Sequence, residues 1–463
     1  MGSDIRQTQT GGRPATKGVI PGRFALSVGK PNTPAPTGWK CVALTDVALL
    51  ETGHTPSRRH PEYWDGGVPW IGIADATENH GRVIDDTKQH VSELGIAHSS
   101  ARMLPANTVC LSRTASVGYV VVMGRPMATS QDFVDWVCSS ELDYRFLKYV
   151  LLAEHDTFLR FASGTTHQTV YFPEVKAFHI CLPPIKDQRR IADILQALDD
   201  KIDLNRSISQ TLESLARALF KSWFVDFDPV RARAEARSSG LASQVADLLP
   251  RSFQDSELGQ IPKGWRVGTI GSIGEVVDCS HARKPERSEN GRPLLQLNNI
   301  RQDGVLDMSD RYCISDDDYQ AWTARIEASP GDCVITNVGR VGAVAQVPND
   351  VRAALGRNMT AVRCRSDKPW PTFLVEALRS DSMRDEIAQK TDAGTILDAL
   401  NVRNIPRLRI VEPSAPVLSH FEAAARPLRS KMETIERESR DLQGLRDAML
   451  PSLLAGDRVG QIG

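Results

Sequence analysis

Long apolar runs are missing from this 463-residue chain. No eighteen consecutive apolar residues occur, so no segment is built to cross a bilayer as a helix. The opening residues, MGSDIRQTQTGGRPATKG, lack the apolar stretch of a secretory signal. Eight cysteines, at 41, 110, 138, 181, 279, 313, 333 and 364, are scattered, and no C-x-x-C occurs. That spacing argues against a disulfide framework and against a zinc site. Cys110 and Cys333 lie in short apolar runs and read as reduced core thiols, which points to a cytoplasmic protein. Charge of one sign is also lacking. Lys+Arg number 56 and Asp+Glu 57, so there is no global positive field, and any nucleic-acid binding must rest on local basic patches.

Catalytic signatures are absent too. There is no G-x-x-x-x-G-K-[ST] phosphate loop, no G-x-G-x-x-G, no H-E-x-x-H and no G-x-S-x-G. The Asn-Pro-Pro-aromatic tetrapeptide, with which amino-methyltransferases grip a flipped base, does not occur; LPPI at 182–185 lacks both the asparagine and the aromatic. Together these absences favour a recognition protein with no catalytic residue and no metal site of its own.

What is present is a repeat. LESLARALFKSWF (212–224) is matched by LQGLRDAMLPSLL (442–454), PTGWK (36–40) by PKGWR (262–266), TVCLSRTASVG (108–118) by CVITNVGRVG (333–342), and HICLPP (179–184) by RIVEP (409–413). The offsets, between 224 and 230, describe a duplicated domain of roughly 150 residues followed by a helix, far longer than a solenoid unit. TVCLS with YVVVM, and CVIT with AVAQV, are short β-branched runs joined by a polar, glycine-ended loop, and each pair is expected to form a hairpin.

Both helical parts carry a heptad pattern. Position a falls on Ile191, Leu198, Asn205, Leu212 and Leu219, with d on Ile194, Lys201, Ile208 and Leu215. In the second copy a falls on Phe421, Leu428, Ile435, Leu442 and Met449, and d on Ala424, Lys431, Glu438 and Leu445. Asn205 has no polar counterpart at Ile435, and a buried a-position asparagine either sets register or is solvated near a helix end.

The expected organisation is α+β. It runs from an N-terminal arm (1–35) to a strand-rich domain (36–185), a long helix (186–227), a linker (228–258), a second strand-rich domain (259–414) and a second long helix (415–458). The two helices are expected to pack antiparallel as a coiled coil, giving a pseudo-twofold internal repeat.

These residues carry a resemblance. LPPIKDQRRIADILQALDDKIDLNRSISQTLESLARALFKSWFVDFDPV (182–230), SFQDSELGQIPKGW (252–265) and LRDAMLPSLLAGDRV (445–459) resemble segments of type I restriction–modification specificity subunits. The resemblance implies two target-recognition domains separated by two antiparallel helices. It implies a subunit without catalysis that reads a bipartite, asymmetric target in double-stranded DNA, with the helices as a ruler between half-sites. Its partners would be two methyltransferase subunits, which use S-adenosylmethionine to methylate adenine, and restriction/translocase subunits, which use ATP and magnesium. The chain itself would hold no cofactor.

For DNA contact the hairpin loops come first: Ser112, Arg113, Thr114 and Ser116, with Gly118 permitting the turn, and Asn337, Gly339 and Arg340 in the second copy. Arginine and asparagine offer paired hydrogen bonds to guanine and adenine in the major groove. Gln131, Thr166, Gln168, Arg357 and Asn358 form a second tier, and Arg58, Arg59, Lys284 and Arg287 are candidates for phosphate contact. Trp64 and Trp70 read as packing residues. Two other readings compete. A fused methyltransferase would need a cofactor domain ahead of Trp39, where 38 residues stand. A coiled-coil scaffold with two duplicated domains that bind protein or sugar would show no salt-dependent binding to random duplex DNA.

Overall fold

The β-branched runs are strands, and both of their faces are covered. In the computed structural model, which describes residues 18–162, 168–301, 303–392 and 398–455, Val109–Ser112 and Val120–Met123 pair antiparallel, and all eight residues are buried. A run buried on both faces needs no polar alternation, which is why the sequence reads as continuous valine. The chain divides into two units. One comprises Met1–Lys201 with Leu442–Gly463, the other Ile202–Asp441. Each long helix therefore contributes to both units, a division that the six sequence segments did not anticipate.

In the first unit a five-stranded sheet is ordered Ala48–Thr52, Phe133–Cys138, Val109–Ser112, Val120–Met123, Val83–Ile84. Trp64–Ile71 pairs parallel with Ala128–Thr129 beside it. The second unit repeats the plan: Gly274–Asp278, Met359–Cys364, Cys333–Thr336, Val344–Gln346, with Arg292–Leu295 parallel to Ala354–Leu355. Helices follow in the same places, Tyr144–Ala153 and His155–Phe161 in one unit, Pro371–Arg379 and Asp381–Gln389 in the other.

The expected arm is partly built into the first unit. Ile20–Pro21 and Leu26–Val28 join a four-stranded antiparallel sheet with Phe178–Leu182 and Lys40–Ala43, and Ala25, Leu26 and Val28 are buried. The buried carboxylate of Glu154 holds this segment by accepting from the Arg23 and Phe24 N–H groups, both at 2.6 Å. The expected linker is structured as well. Phe227 adopts a left-handed conformation (φ 56°) behind the first long helix, its ring 5.9 Å from Trp265, and Asp228–Ala234 forms a short helix.

The long helices are Ile185–Phe224 and Ala415–Leu454, 40 residues each, or roughly 60 Å at 1.5 Å per residue. They run antiparallel. Within the second unit Asn205 meets Glu438 and Ser439, while Phe220 and Phe224, later in the first helix, meet Phe421, earlier in the second.

One line of the expected seam is correct and the other is shifted by one residue. Ile191, Asn205, Phe421 and Ile435 are buried, and Leu198, Leu212, Leu219, Leu428, Leu442 and Met449 are half-buried along the same line. The companion line is Leu195, Ile202, Ser209, Ala216 and Trp223, matched by Ala425, Met432, Ser439, Arg446 and Leu453. It lies four residues after the first line, not three. Leu215 and Leu445, expected inside, are about half exposed, at 52% and 49%. Asn205 is buried (1% exposed), and its amide donates to Glu438 Oε2 at 3.1 Å and Ser439 Oγ at 3.3 Å, so it is not solvated at a helix end.

Charge pairs hold the long helices in each unit, across the seam in the first and onto the helix Pro371–Arg379 in the second. In the first, Arg446 reaches Asp199 at 2.9 Å, and Tyr149 Oη donates to the same carboxylate at 2.7 Å. In the second, Arg429 meets Glu376 at 2.7 Å and Arg379 meets Glu213 at 2.7 Å, all four largely buried.

One buried acid sets a pH dependence. Asp135 is fully buried in the strand Phe133–Cys138; it accepts from Thr129 Oγ1 at 2.6 Å and lies opposite Cys110. Burial raises its pKa to about 7, against the hydrogen bonds from Thr129 and Cys110. A carboxyl whose pKa is raised by folding stabilises the fold most at low pH, and that contribution is lost as pH rises from about 4 to about 7. The loss approaches ~1.4 kcal/mol per pH unit in that window. Ala361 stands at the equivalent place in the second unit, opposite Val334, so the plan does not require a carboxylate. Asp135→Asn is expected to flatten the fall in melting temperature between pH 4 and pH 7. An unchanged slope in calorimetric melts would remove Asp135 as its source.

Candidate nucleic-acid interface

Both hairpin loops are closed by a buried hydroxyl. In the first unit Ser112, at the end of its strand, accepts from the Tyr119 N–H at 2.8 Å and donates to the Ser116 carbonyl. The Gly118 N–H donates to the Ser112 carbonyl at 2.9 Å. In the second unit Thr336 accepts from the Ala343 N–H at 3.0 Å and donates to the Arg340 carbonyl, and Gly342 donates to the Thr336 carbonyl at 2.8 Å. The left-handed residues also coincide, Ala115 (φ 64°) with Gly339 (φ 82°) and Gly118 (φ 93°) with Gly342 (φ 77°). One backbone device is thus built twice, with different side chains on its tip.

This geometry corrects three expected DNA contacts. Ser112 is fully buried and its hydroxyl is spent inside the loop, so it shapes the tip and does not reach outward. Asn337 is 5% exposed, with its N–H on the Asn358 carbonyl (3.0 Å) and its carbonyl accepting from Leu400 (2.8 Å). Arg113 is a brace. Its backbone N–H donates to Asp132, its carbonyl accepts from Val170, and Nη2 donates to the Gln131 carbonyl at 3.0 Å. Its guanidinium lies 5.8 Å from the Phe172 ring, and burial holds its pKa below the usual arginine value. The hydroxyl clip was legible as S/T-x5-G in SRTASVG and TNVGRVG, a pattern first read as base contact.

The remaining candidates of the first unit come together around that loop. Thr114 shares a hydrogen bond with Thr169 at 2.9 Å, Gln131 accepts from Thr55, and Trp70 Nε1 donates to the His54 carbonyl at 3.1 Å. Arg58 lies over the Trp64 ring, 3.5 Å from its centre, and donates to Gln89 at 2.7 Å. Trp64 and Trp70 pack edge to face at 5.2 Å, so Trp70 is core and Trp64 is a platform for an arginine. Segments 54–58, 113–114, 131 and 169 thereby form one connected surface, with Ser116 half-buried and Gln168 and Arg59 exposed. Thr166 lies outside the described residues.

Behind the loop, His155 pairs with the Gly118 carbonyl at 2.8 Å, and His80 Nδ1 accepts from the Val120 N–H at 3.1 Å. Burial pushes the His80 pKa down to about 4, so a neutral imidazole supports the turn.

In the second unit Arg340 and Arg357 are exposed, Gly339 has open space around it, and Asn358 (φ 65°) forms the turn beside Asn337. Arg340 Nη1 also donates to the Ile300 carbonyl at 2.5 Å, which sets the direction of its side chain. Arg357 forms no ion pair with the described residues. Lys284 and Arg287 belong to a different group around Tyr312, with Lys284 Nζ 3.8 Å from the ring centre and Arg287 3.3 Å from Asp310. Possible metal-ligand atoms gather once among the described residues, at Asp278, Cys279 and His281, all within 4.8 Å. His281 is already 2.7 Å from the Asp278 carboxylate, and three donors fall short of a closed four-ligand site.

The chain thus holds two mixed domains built on one plan, each with a clipped loop, and an antiparallel helix pair. The family model for the type I restriction modification DNA specificity domain matches residues 36–214. The type I restriction enzyme MjaIX specificity subunit of Methanocaldococcus jannaschii is 26% identical over 436 residues, 91% of this chain and 94% of that protein. The HindI specificity subunit of Haemophilus influenzae is 27% identical over 64% of this chain and 72% of that protein. The S subunit of a type I restriction-modification system from M. genitalium shares the fold, with a TM-score of 0.56 at 16% identity over 92% of this chain and 98% of that one. Over 91% of its length the chain is similar to a type I restriction enzyme specificity subunit, and residues 36–214 match the DNA specificity domain of that family. Such a subunit is a non-catalytic component. Among the described residues no helix is long and apolar enough to cross a membrane.

The brace and the free cation are separable by stability. Arg113→Ala removes a half-buried hydrogen bond and is expected to cost about 1–3 kcal/mol. Arg357→Ala, at an exposed site, is expected to stay within about 0.5 kcal/mol of the parent. Urea unfolding of the two variants checks this, and equal midpoints would show that Arg113 bears no load.

Proposed function

We propose that this chain reads a bipartite, asymmetric sequence in double-stranded DNA and directs partner subunits to it. The observation that carries the reading is the duplicated loop clip with unlike tips: Thr114, Ala115 and Ser116 on one copy, Val338, Gly339 and Arg340 on the other. A repeated backbone presents both tips to a duplex in equivalent ways, and different side chains then select different bases. Exposed Arg59, Lys284 and Arg357 are suited to phosphates, whose contacts position a protein without specifying sequence.

Two methyltransferase subunits dock on the long helices and carry S-adenosylmethionine for adenine methylation. Restriction/translocase subunits carry ATP and magnesium. This chain holds no cofactor and works in the cytoplasm, where its DNA is.

Methylome sequencing of a host expressing the chain with its methyltransferase tests this reading, since methylation at a two-part motif with unlike halves is expected. Arg340→Ala is expected to relax one half of that motif and leave the other intact, because one good paired contact is worth about 1–3 kcal/mol of discrimination. Uniform loss at both halves would mean that Arg340 only holds phosphate or structure.

The helices are the proposed ruler. Seven residues inserted near Asp203 and near Glu433 keep each apolar stripe in phase and lengthen each helix by roughly 10 Å. That corresponds to a spacer about three base pairs longer. Those base pairs also rotate one half-site by nearly a third of a turn, so the expected outcome is a changed spacer or lost methylation, with both half-site sequences unaltered. Full methylation at the original spacing would show that the helices do not measure distance.

A further inference from the structure

Two of the eight cysteines face each other. Cys41 lies directly opposite Cys181 where Lys40–Ala43 pairs antiparallel with Phe178–Leu182. The Cys181 N–H points the other way and donates to the Ala25 carbonyl at 2.8 Å. Cys41 and Cys181 are therefore a non-hydrogen-bonded pair, the type in which opposed Cα atoms approach to about 4.5 Å and side chains are closest. That separation lies within the range a disulfide spans, about 4.4–6.8 Å between Cα atoms. Both side chains sit on the partly open face of the sheet, both are free thiols, and each is perturbed by the other. No other cysteine is placed this way. Cys110 opposes Asp135, Cys138 opposes Ala48, Cys333 opposes Gln346 and Val362, Cys364 opposes Gly274, and Cys313 opposes Pro293. In the second unit the same two positions are Val267 and Val411, again directly opposed, so the fold does not need sulfur there.

We propose that Cys41 and Cys181 form a reversible cross-strand disulfide, a redox modification site that ties the strand Lys40–Ala43 to the strand leading into the long helix. The oxidant is a small-molecule disulfide. The Cys41 thiolate attacks one of its sulfurs and expels one thiolate. The Cys181 thiolate then attacks the Cys41 sulfur of the mixed disulfide and expels the second. Two electrons pass to the reagent, and the two thiol protons end on the two released thiols. Cys41 attacks first because it is the less enclosed and Lys30 favours its thiolate, whereas burial and its neighbour push Cys181 up to about 11. With both thiols raised, the rate of closure follows the thiolate population, roughly tenfold per pH unit below the pKa.

The full-length chain, reduced and then equilibrated in glutathione buffers of graded ratio, is trapped by alkylation, digested without reduction and mapped by mass spectrometry. A Cys41–Cys181 cross-linked peptide is expected in oxidising buffer, formed faster at pH 8.5 than at pH 7 and lost in dithiothreitol. Cys41→Ser and Cys181→Ser should each abolish it and leave glutathione on the remaining partner. The double variant Val267→Cys, Val411→Cys should gain a second cross-link, since the register is the same. A cross-link absent at every ratio, one joining other cysteines, or one formed only in urea would overturn the proposal, as would failure of the double variant to close.

Discussion

The structure depends on one seam. Two 40-residue helices carry apolar residues on a narrow stripe, and a stripe of that width is covered only by another helix. Small residues line the contact, with Ser209, Ala216 and Ala425 all buried, and these allow close approach of the backbones. Asn205 then adds a polar requirement at one level, satisfied where Glu438 and Ser439 stand opposite and unsatisfied in a slipped register. At one end of the seam in the second unit, Phe421 is surrounded by Phe220, Trp223, Phe224 and Phe373, with ring centres 4.9–6.4 Å away. Removing such a ring costs about 3–5 kcal/mol, so the helix pair and the second domain share one core.

On that frame the duplication separates what the fold requires from what it tolerates. Strand order, the parallel pair beside the sheet and the hydroxyl clip recur in both units. Asp135 is replaced by Ala361, the Cys41–Cys181 pair by Val267 and Val411, and His155 beneath the turn glycine by Ile387. A carboxyl, a sulfur-bearing and an imidazole side chain are thus each exchanged for an apolar one without change of plan. Packing volume and backbone geometry define the domain, and the polar groups that differ are free to serve something else.

The same division explains what could be read from the sequence. Duplication, hairpins and the helix pair were legible because they leave periodic traces: a repeat offset, β-branched runs and a seven-residue spacing. The second seam line was misplaced because Leu215 and Leu445 recur in both copies and mimic core positions, while the true line contains serine, alanine and arginine. The strand Leu26–Val28 was missed because three residues carry no periodicity, and its burial depends on a strand more than a hundred residues away. The facing cysteines were invisible for the same reason. Arg113 was misread because its partners, Gln131 and Phe172, come from distant segments that only the fold brings together.

Position relative to the clip, more than residue type, decides what a loop side chain does. The residue after the clipping hydroxyl turns inward in both units: Arg113 is half-buried as a brace and Asn337 is buried. The third residue after it, Ala115 or Gly339, takes the left-handed conformation and stands exposed at the tip. The fourth gives its carbonyl to the hydroxyl, which frees its side chain to leave the loop: Ser116 in one unit, the exposed Arg340 in the other. Arginine occurs in both loops and donates to a backbone carbonyl in each, but it is half-buried one place after the hydroxyl and exposed four places after it. A rule stated in residue types would treat Arg113 and Arg340 alike; the hydrogen bonds of Ser112 and Thr336 show why they differ.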